Sequence, residues 1–299
     1  MRTLFLCCAT LAALGLFGCS GSSTPNDAGT SNDAGVDAGD EVSPTISVSG
    51  TVALNPIVAA AYDAGILTGT PPAFDGSPLY IDEPLTVIGS GVEAGRLVTS
   101  SLDDSGTFNV PEVPTDPINI GLVGTIGGLS PDAGFTACDA DTGTPSFCEH
   151  FAPSASLVWE DYKPTADITD VPLYGVPVAF TELLADKLGE APGQHALDQG
   201  LVLGYVVAPD GGAMAGVTFN DQGDNYNVRY FDDDFNPVTT GGATNRYGMF
   251  AIIAPGQPDI TKPMGIDGYP DAKCHFVGST PGTVFNLVYD ARRPGIDCH

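Results

Sequence analysis

The sequence predicts a mostly β protein: two antiparallel β-sandwich domains joined by one bridging amphipathic helix. Three observations lead there. Glycine and proline number 38 and 25 in 299 residues, more than a helical chain tolerates. Apolar residues recur with a period of two, in short runs bounded by turn formers. A turn motif also occurs twice, with its glycines at Gly106 and Gly248.

In chain order, the first segment carries Arg2 and then no charge from Thr3 to Phe17. Such a run is too short for a permanent membrane span and suits the apolar region of an export signal. Leu16-Phe17-Gly18-Cys19 resembles the bacterial lipobox, with Phe17 in place of the usual small residue. The resemblance implies that residues 1–18 are removed, that Cys19 is acylated, and that the protein is held at the outer membrane or cell surface. An ordinary signal with a chance cysteine, or a buried apolar helix, is the alternative. Several acyl chains, each buried methylene contributing about 0.8 kcal/mol, would make release negligible.

Residues 19–44 repeat Asp-Ala-Gly at Asp27, Asp33 and Asp37 and hold almost nothing to bury, so they read as a disordered acidic linker. As a random coil it would hold the remainder roughly 25 to 30 Å from the lipid. The first sandwich is expected over 45–176, where Ile46, Val48, Val52 and Leu54 alternate, as do Ile118, Ile120 and Leu122. An insertion is expected at roughly 55 to 83. Phe180, Leu183, Leu184 and Leu188, with Lys187 late and Gly189 as a stop, predict a helix within a connector over 177–199. The helix would bridge two domains or cover the edge or end of a sheet. The second sandwich is expected over 200–299, from Leu201, Leu203, Tyr205 and Val207, from Tyr226, Val228 and Tyr230, and from Phe285, Leu287 and Tyr289.

The repeat sets Asp103-Asp104-Ser105-Gly106-Thr107-Phe108 against Asn245-Arg246-Tyr247-Gly248-Met249-Phe250. Asp103 and Asn245 suit bonds to turn amides, the glycine accepts positive φ, and the aromatic returns to the core. Upstream lie Gly50-Thr51-Val52 and Gly204-Tyr205-Val206, and the second copy adds Ala215-Gly216-Val217-Thr218-Phe219. This order of motifs resembles the carboxypeptidase regulatory-like module, well over about 200–289 and in part over 45–123. The resemblance implies prealbumin-like (transthyretin-like) sandwiches without catalytic residues, akin to carbohydrate-binding folds.

Acidic residues number 37 against 10 basic, a net charge of −27, which repels phosphate and excludes nucleic acid as a partner. Cys138, Cys148, Cys274 and Cys298 are expected to form two disulfides outside the cytoplasm, with three connectivities open and neighbours in sequence favoured. Stabilisation of roughly 2 to 4 kcal/mol would follow from each short loop closed. His150, His275 and His299 lie close to cysteines, so a mixed Cys/His zinc site is a competing reading. His195 has no matching nucleophile motif. Asp221, Asp224 and Asp232 to Asp234 with Asn236, and Asp139, Asp141 and Glu149, supply oxygen ligands without calcium-loop spacing. Tyr226, Tyr230, Phe231 and Phe235 could line a sugar-binding face or belong to the core. No catalytic or cofactor motif is present. The expectation is a lipid-anchored, non-enzymatic envelope protein with a structural or protein-interaction role toward an envelope protein or glycan. A carbohydrate- or calcium-binding module is the alternative.

Overall fold

Alternation after Pro44 becomes strand β1 (Thr45–Leu54), and in the computed structural model fourteen further strands follow among the described residues. It describes residues 44–82, 98–116, 121–127, 150–160, 163–190, 196–220, 226–254, 264–267, 275, 277–279 and 281–292. Val42–His299 forms one compact unit apart from Met1–Glu41. The described strands after β1 are β2 (Pro78–Asp82), β3 (Val98–Ser101), β4 (Thr107–Pro114), β5 (Leu122–Ile126), β6 (Phe151–Ala152), β7 (Ser154–Trp159) and β8 (Ile168–Pro177). They continue with β9 (Leu201–Val207), β10 (Phe219–Asn220), β11 (Val228–Phe231), β12 (Pro237–Val238), β13 (Met249–Ile253), β14 (Gly265–Ile266) and β15 (Val284–Asp290).

Strands β4-β1-β8-β6 form one sheet, β10-β14 a small second one, and β12-β11-β13-β9-β15-β7-β5-β2-β3 a nine-stranded third. The two portions expected as separate sandwiches therefore share the nine-stranded sheet. A second difference concerns strand direction. The two larger sheets are mixed rather than antiparallel, because β1 runs parallel to β8 and β15 runs parallel to both β7 and β9. Parallel neighbours need long crossovers. The stretches 55–167 and 208–283 supply them.

The repeat is built twice at the backbone level. Gly106 and Gly248 both have φ +71. Oδ1 of Asp103 accepts from the amides of Ser105 and Thr107 at 2.9 and 3.1 Å, and Oδ1 of Asn245 accepts from Tyr247 and Met249 at 3.1 and 3.2 Å. Gly106 C=O accepts from Val52 N–H at 2.8 Å, and Gly248 C=O from Val206 N–H at 3.0 Å. Phe108 stands opposite Gly50, and Phe250 opposite Gly204. Each antiparallel pair then gains a parallel third strand, giving β4-β1-β8 and β13-β9-β15. A Cβ on Gly248 would lie 2.6 Å from the Val206 carbonyl oxygen. Gly248→Val is thus expected to cost about 2 kcal/mol or more, seen as a lowered denaturant midpoint. Gly282→Val, at φ +80 with nothing within 4 Å, loses only the backbone share and serves as the control.

Three cores follow from this topology. Val48, Val52, Val110 and Leu173 of the four-stranded sheet face Leu79, Ile81, Leu122 and Ile126 of the large sheet, which makes a sandwich. In its other half the large sheet is covered on both faces. Val202, Phe250, Ile252 and Leu287 pack under Val217, Met264 and Val277, near the β10–β14 pair. Leu201, Leu203, Met249 and Ala251 pack under helix residues. A sheet covered twice reads as a continuous apolar run, and Leu201–Val207 and Met249–Ile253 are such runs.

Helix α2 (Val178–Leu188) ends at Gly189 with φ 69, and buries Phe180 and Leu184. It lies on the sheet face with a second helix, which corrects the expectation of a single bridging helix. Helix α1 (Pro56–Asp63) occupies the expected insertion, buries Ile57, Val58 and Ala61, and has proline in its first turn. Asn55 caps it, accepting from Ile57 N–H at 2.9 Å. Its eight residues are too few for the 3.6-residue period to stand out.

Where the sheets separate, polar side chains replace ladder bonds. Ser156 and Ser154 of β7 accept from the amides of Tyr174 and Val176 of β8 at 3.0 and 3.2 Å. Buried Asn286 of β15 donates to Ala155 C=O at 3.1 Å and Tyr174 C=O at 2.8 Å, and accepts from Asn55 Nδ2 at 2.8 Å.

Candidate functional site

Many residues singled out from the sequence fall outside the described set: Cys19, Cys138, Cys148, Cys274, Cys298, His195, His299, Asp139, Asp141, Glu149, Asp221 and Asp224. Among the described residues no group of three His, Cys, Asp or Glu gathers as a metal site. No described helix is long and apolar enough to cross a membrane. The described polar residues form two arrangements.

The first is a carboxylate–imidazole pair. Glu160 follows β7, and His275 forms an isolated bridge with Met264. Nδ1 of His275 lies 2.5 Å from Oε2 of Glu160, with side-chain exposures of 12% and 11%. An ionised carboxylate only accepts, so Nδ1–H is the donor. The His275 ring meets Tyr289 edge-on at 4.6 Å, and Tyr289 Oη donates to Met264 C=O at 2.6 Å. Burial, and then the Glu160 charge, push the Tyr289 phenol well above its ordinary range. Glu160 Oε1 is buried and, among the described residues, meets no hydrogen-bond partner. His275 thereby fastens the segment over the large sheet to the end of β7. The contacts are with a carboxylate, an aromatic ring and backbone, as in a structural clasp. Sequence reasoning set His275 beside Cys274 and missed Glu160, since partners 115 residues apart leave no local signal.

The second arrangement is the acidic turn after β11. Asp232 Oδ1 accepts from Asp234 and Asn236 amides at 3.0 and 2.8 Å, and from Asn236 Nδ2 at 3.2 Å. Its C=O accepts from Asn245 Nδ2 at 2.9 Å, while Lys187 Nζ donates to Asn236 Oδ1 at 2.8 Å. Asp233 Oδ1 accepts from Arg246 N–H at 3.1 Å. The acidic loop thus ties β11 to the second repeat's turn and to α2. Bonds from the Asn236 side chain, then from its amide, hold the Asp232 carboxyl below its ordinary 3.8. The charged form is the one the fold favours. Its contribution is therefore complete above that ordinary value and fades as pH falls through the lower folded one. The denaturant midpoints of wild type and Asp232→Ala are expected to differ by a constant above about pH 5 and to draw together as pH falls below the ordinary 3.8.

Phe231 and Phe235 are core residues, each 1% exposed, and Tyr230 is half-buried with its hydroxyl accepting from Phe219 N–H at 3.1 Å. Tyr226 is also half-buried and packs on the third core, so these four do not share a sugar-binding face. Trp159, the chain's single tryptophan, is 37% exposed.

The fold is mostly β, in mixed sheets with a sandwich at one end. No family model and no curated protein matches the sequence. The chain is 8% identical to the Bacillus anthracis TIE protein over 82% of its own length and 34% of that chain, with a TM-score of 0.21. It thus spans about a third of that protein. A "putative cell adhesion protein" from Parabacteroides distasonis is 8% identical over 85% and 91%, with a TM-score of 0.25. A Streptococcal ancillary pilin is 9% identical over 83% and 68%, with a TM-score of 0.20.

Proposed function

We propose that the chain is an exported lipoprotein, acylated at Cys19, whose acidic linker presents a rigid β body to another component of the cell envelope. Its role is structural or interactive rather than catalytic. One observation carries the second half of this reading. Four polar groups that stood out in the sequence hold backbone or a remote partner: Asp103 and Asn245 in turns, Asp232 in its cross-linked loop, and His275 with Glu160. The lipobox-like Leu16-Phe17-Gly18-Cys19 supports the first half. The doubled turn-and-strand unit supports two transthyretin-like copies, 45–176 and 200–299, linked by 177–199 and merged through a shared sheet. Cys138 with Cys148 and Cys274 with Cys298 form disulfides that close loops of this body.

The test has two parts. Mass spectrometry of the mature N-terminus is expected to find a lipid-modified Cys19, and Cys19→Ser is expected to move the protein from the membrane to the soluble fraction. Without reduction, the four remaining cysteines are expected to resist alkylation. An uncut N-terminus on protein recovered from the cytosol sinks the proposal. Site-specific crosslinking in intact cells then reports whether an envelope protein is bound.

A further inference from the structure

The two repeats differ at one edge. In the second, the outer side of β13 pairs with β11, with Val228 opposite Ile252, Arg229 opposite Ala251 and Tyr230 opposite Phe250. In the first, Phe108 and Val110 of β4 stand where Phe250 and Ile252 stand in β13. Yet β4 ends its sheet, and among the described residues no strand lies beyond it.

The phase of the ladder shows what that edge offers. Val52 N–H donates to Gly106 C=O, so by antiparallel alternation Phe108 and Val110 turn their backbone groups toward β1. Asn109 turns its N–H and C=O outward. Ala251 has the same phase in β13, and there Arg229 of β11 stands opposite it. Thr107 N–H is taken by Asp103 Oδ1, as Met249 N–H is taken by Asn245 Oδ1. Asn109 is exposed between buried Phe108 and Val110. Past it, Pro111 has no N–H and Glu112 sits at φ 59, which closes the edge to long pairings.

We propose that the outer edge of β4, centred on Asn109, takes a short extended segment of a basic partner protein as an added antiparallel strand, in the place β11 fills in the second repeat. This rests on the interaction role proposed above and names its surface. A net charge of −27 repels a second copy. Asp103, Asp104 and Glu112 are exposed around the edge, and the built-in strand presents Arg229 at the matching position.

The experiment uses the full-length protein in detergent and a synthetic peptide of residues 226–231 flanked by lysines. Hydrogen exchange over 107–110 is expected to slow by about tenfold at saturating peptide, with affinity falling as salt rises. A peptide flanked by glutamates is expected not to bind. Asn109→Pro, at an edge position where proline is tolerated, is expected to abolish the protection, while Asn109→Ala keeps it because the bonds are main-chain. If Asn109→Pro does not fold, Asn109→Ala and the exchange map carry the test. Unchanged exchange at 107–110, protection at another edge, or loss of binding in Asn109→Ala overturns the proposal. An envelope crosslink that survives Asn109→Pro refutes this edge alone, whereas no crosslink in wild type refutes the interaction role itself.

Discussion

Gly50→Ala is expected to destabilise the protein by about 3 kcal/mol or more, a large part of a normal domain's stability. The added Cβ would lie 2.0 Å from the Val171 carbonyl oxygen and 2.7 Å from its nitrogen. Those atoms are backbone of β8, in parallel pairing with β1, and no rotamer moves them. The equivalent Gly204 makes an instructive contrast. There the Cβ would lie 1.9 Å from the Phe250 ring, which is a side chain. Gly204→Ala should therefore recover stability when combined with Phe250→Leu, whereas Gly50→Ala should recover nothing from Phe108→Leu. Urea midpoints of the four variants decide it. Rescue at both sites, or at neither, would contradict the assignment of the Gly50 clash to backbone.

His275→Ala is expected to cost about 3 to 5 kcal/mol, because among the described residues it leaves the Glu160 carboxylate buried with neither oxygen paired. The loss belongs to the stranded charge rather than to the missing ring. Glu160→Leu combined with His275→Leu removes both partners and should lie much nearer wild type. If the single and double variants melt alike, the pair is not what secures the segment over the large sheet. Exchange of the Met264 amide, which bonds to His275 C=O at 3.0 Å, reports on that segment directly.

The turns were legible in the sequence because their chemistry is local, although the first of them joins strands of two different sheets rather than closing a hairpin. Asp103 and Gly106, like Asn245 and Gly248, act within four residues, so the order of residue types is enough to specify turn, glycine conformation and returning aromatic. Helix α2 was legible for the same reason, its apolar spacing and Gly189 stop being properties of one short segment. Helix α1 was not, since Ala-rich brevity hides its period and only the Asn55-Pro56 start marks it. The engagement of Asp232 with Asn236 was local too, yet a run of acids looks the same whether its carboxylates are solvated or bonded to the turn.

By itself the sequence determined the β class, the doubled turn-and-strand unit, one helix and the overwhelming negative charge. Each depends on neighbours along the chain, where spacing is written directly. Tertiary structure alone decided that the two copies share a nine-stranded sheet, that β8 and β15 run parallel to β1 and β9, and that Asn55 meets Asn286 and Glu160 meets His275. Strand order and remote polar pairing minimise buried, unsatisfied backbone and side-chain groups over the whole molecule, and that is a sum no local pattern contains.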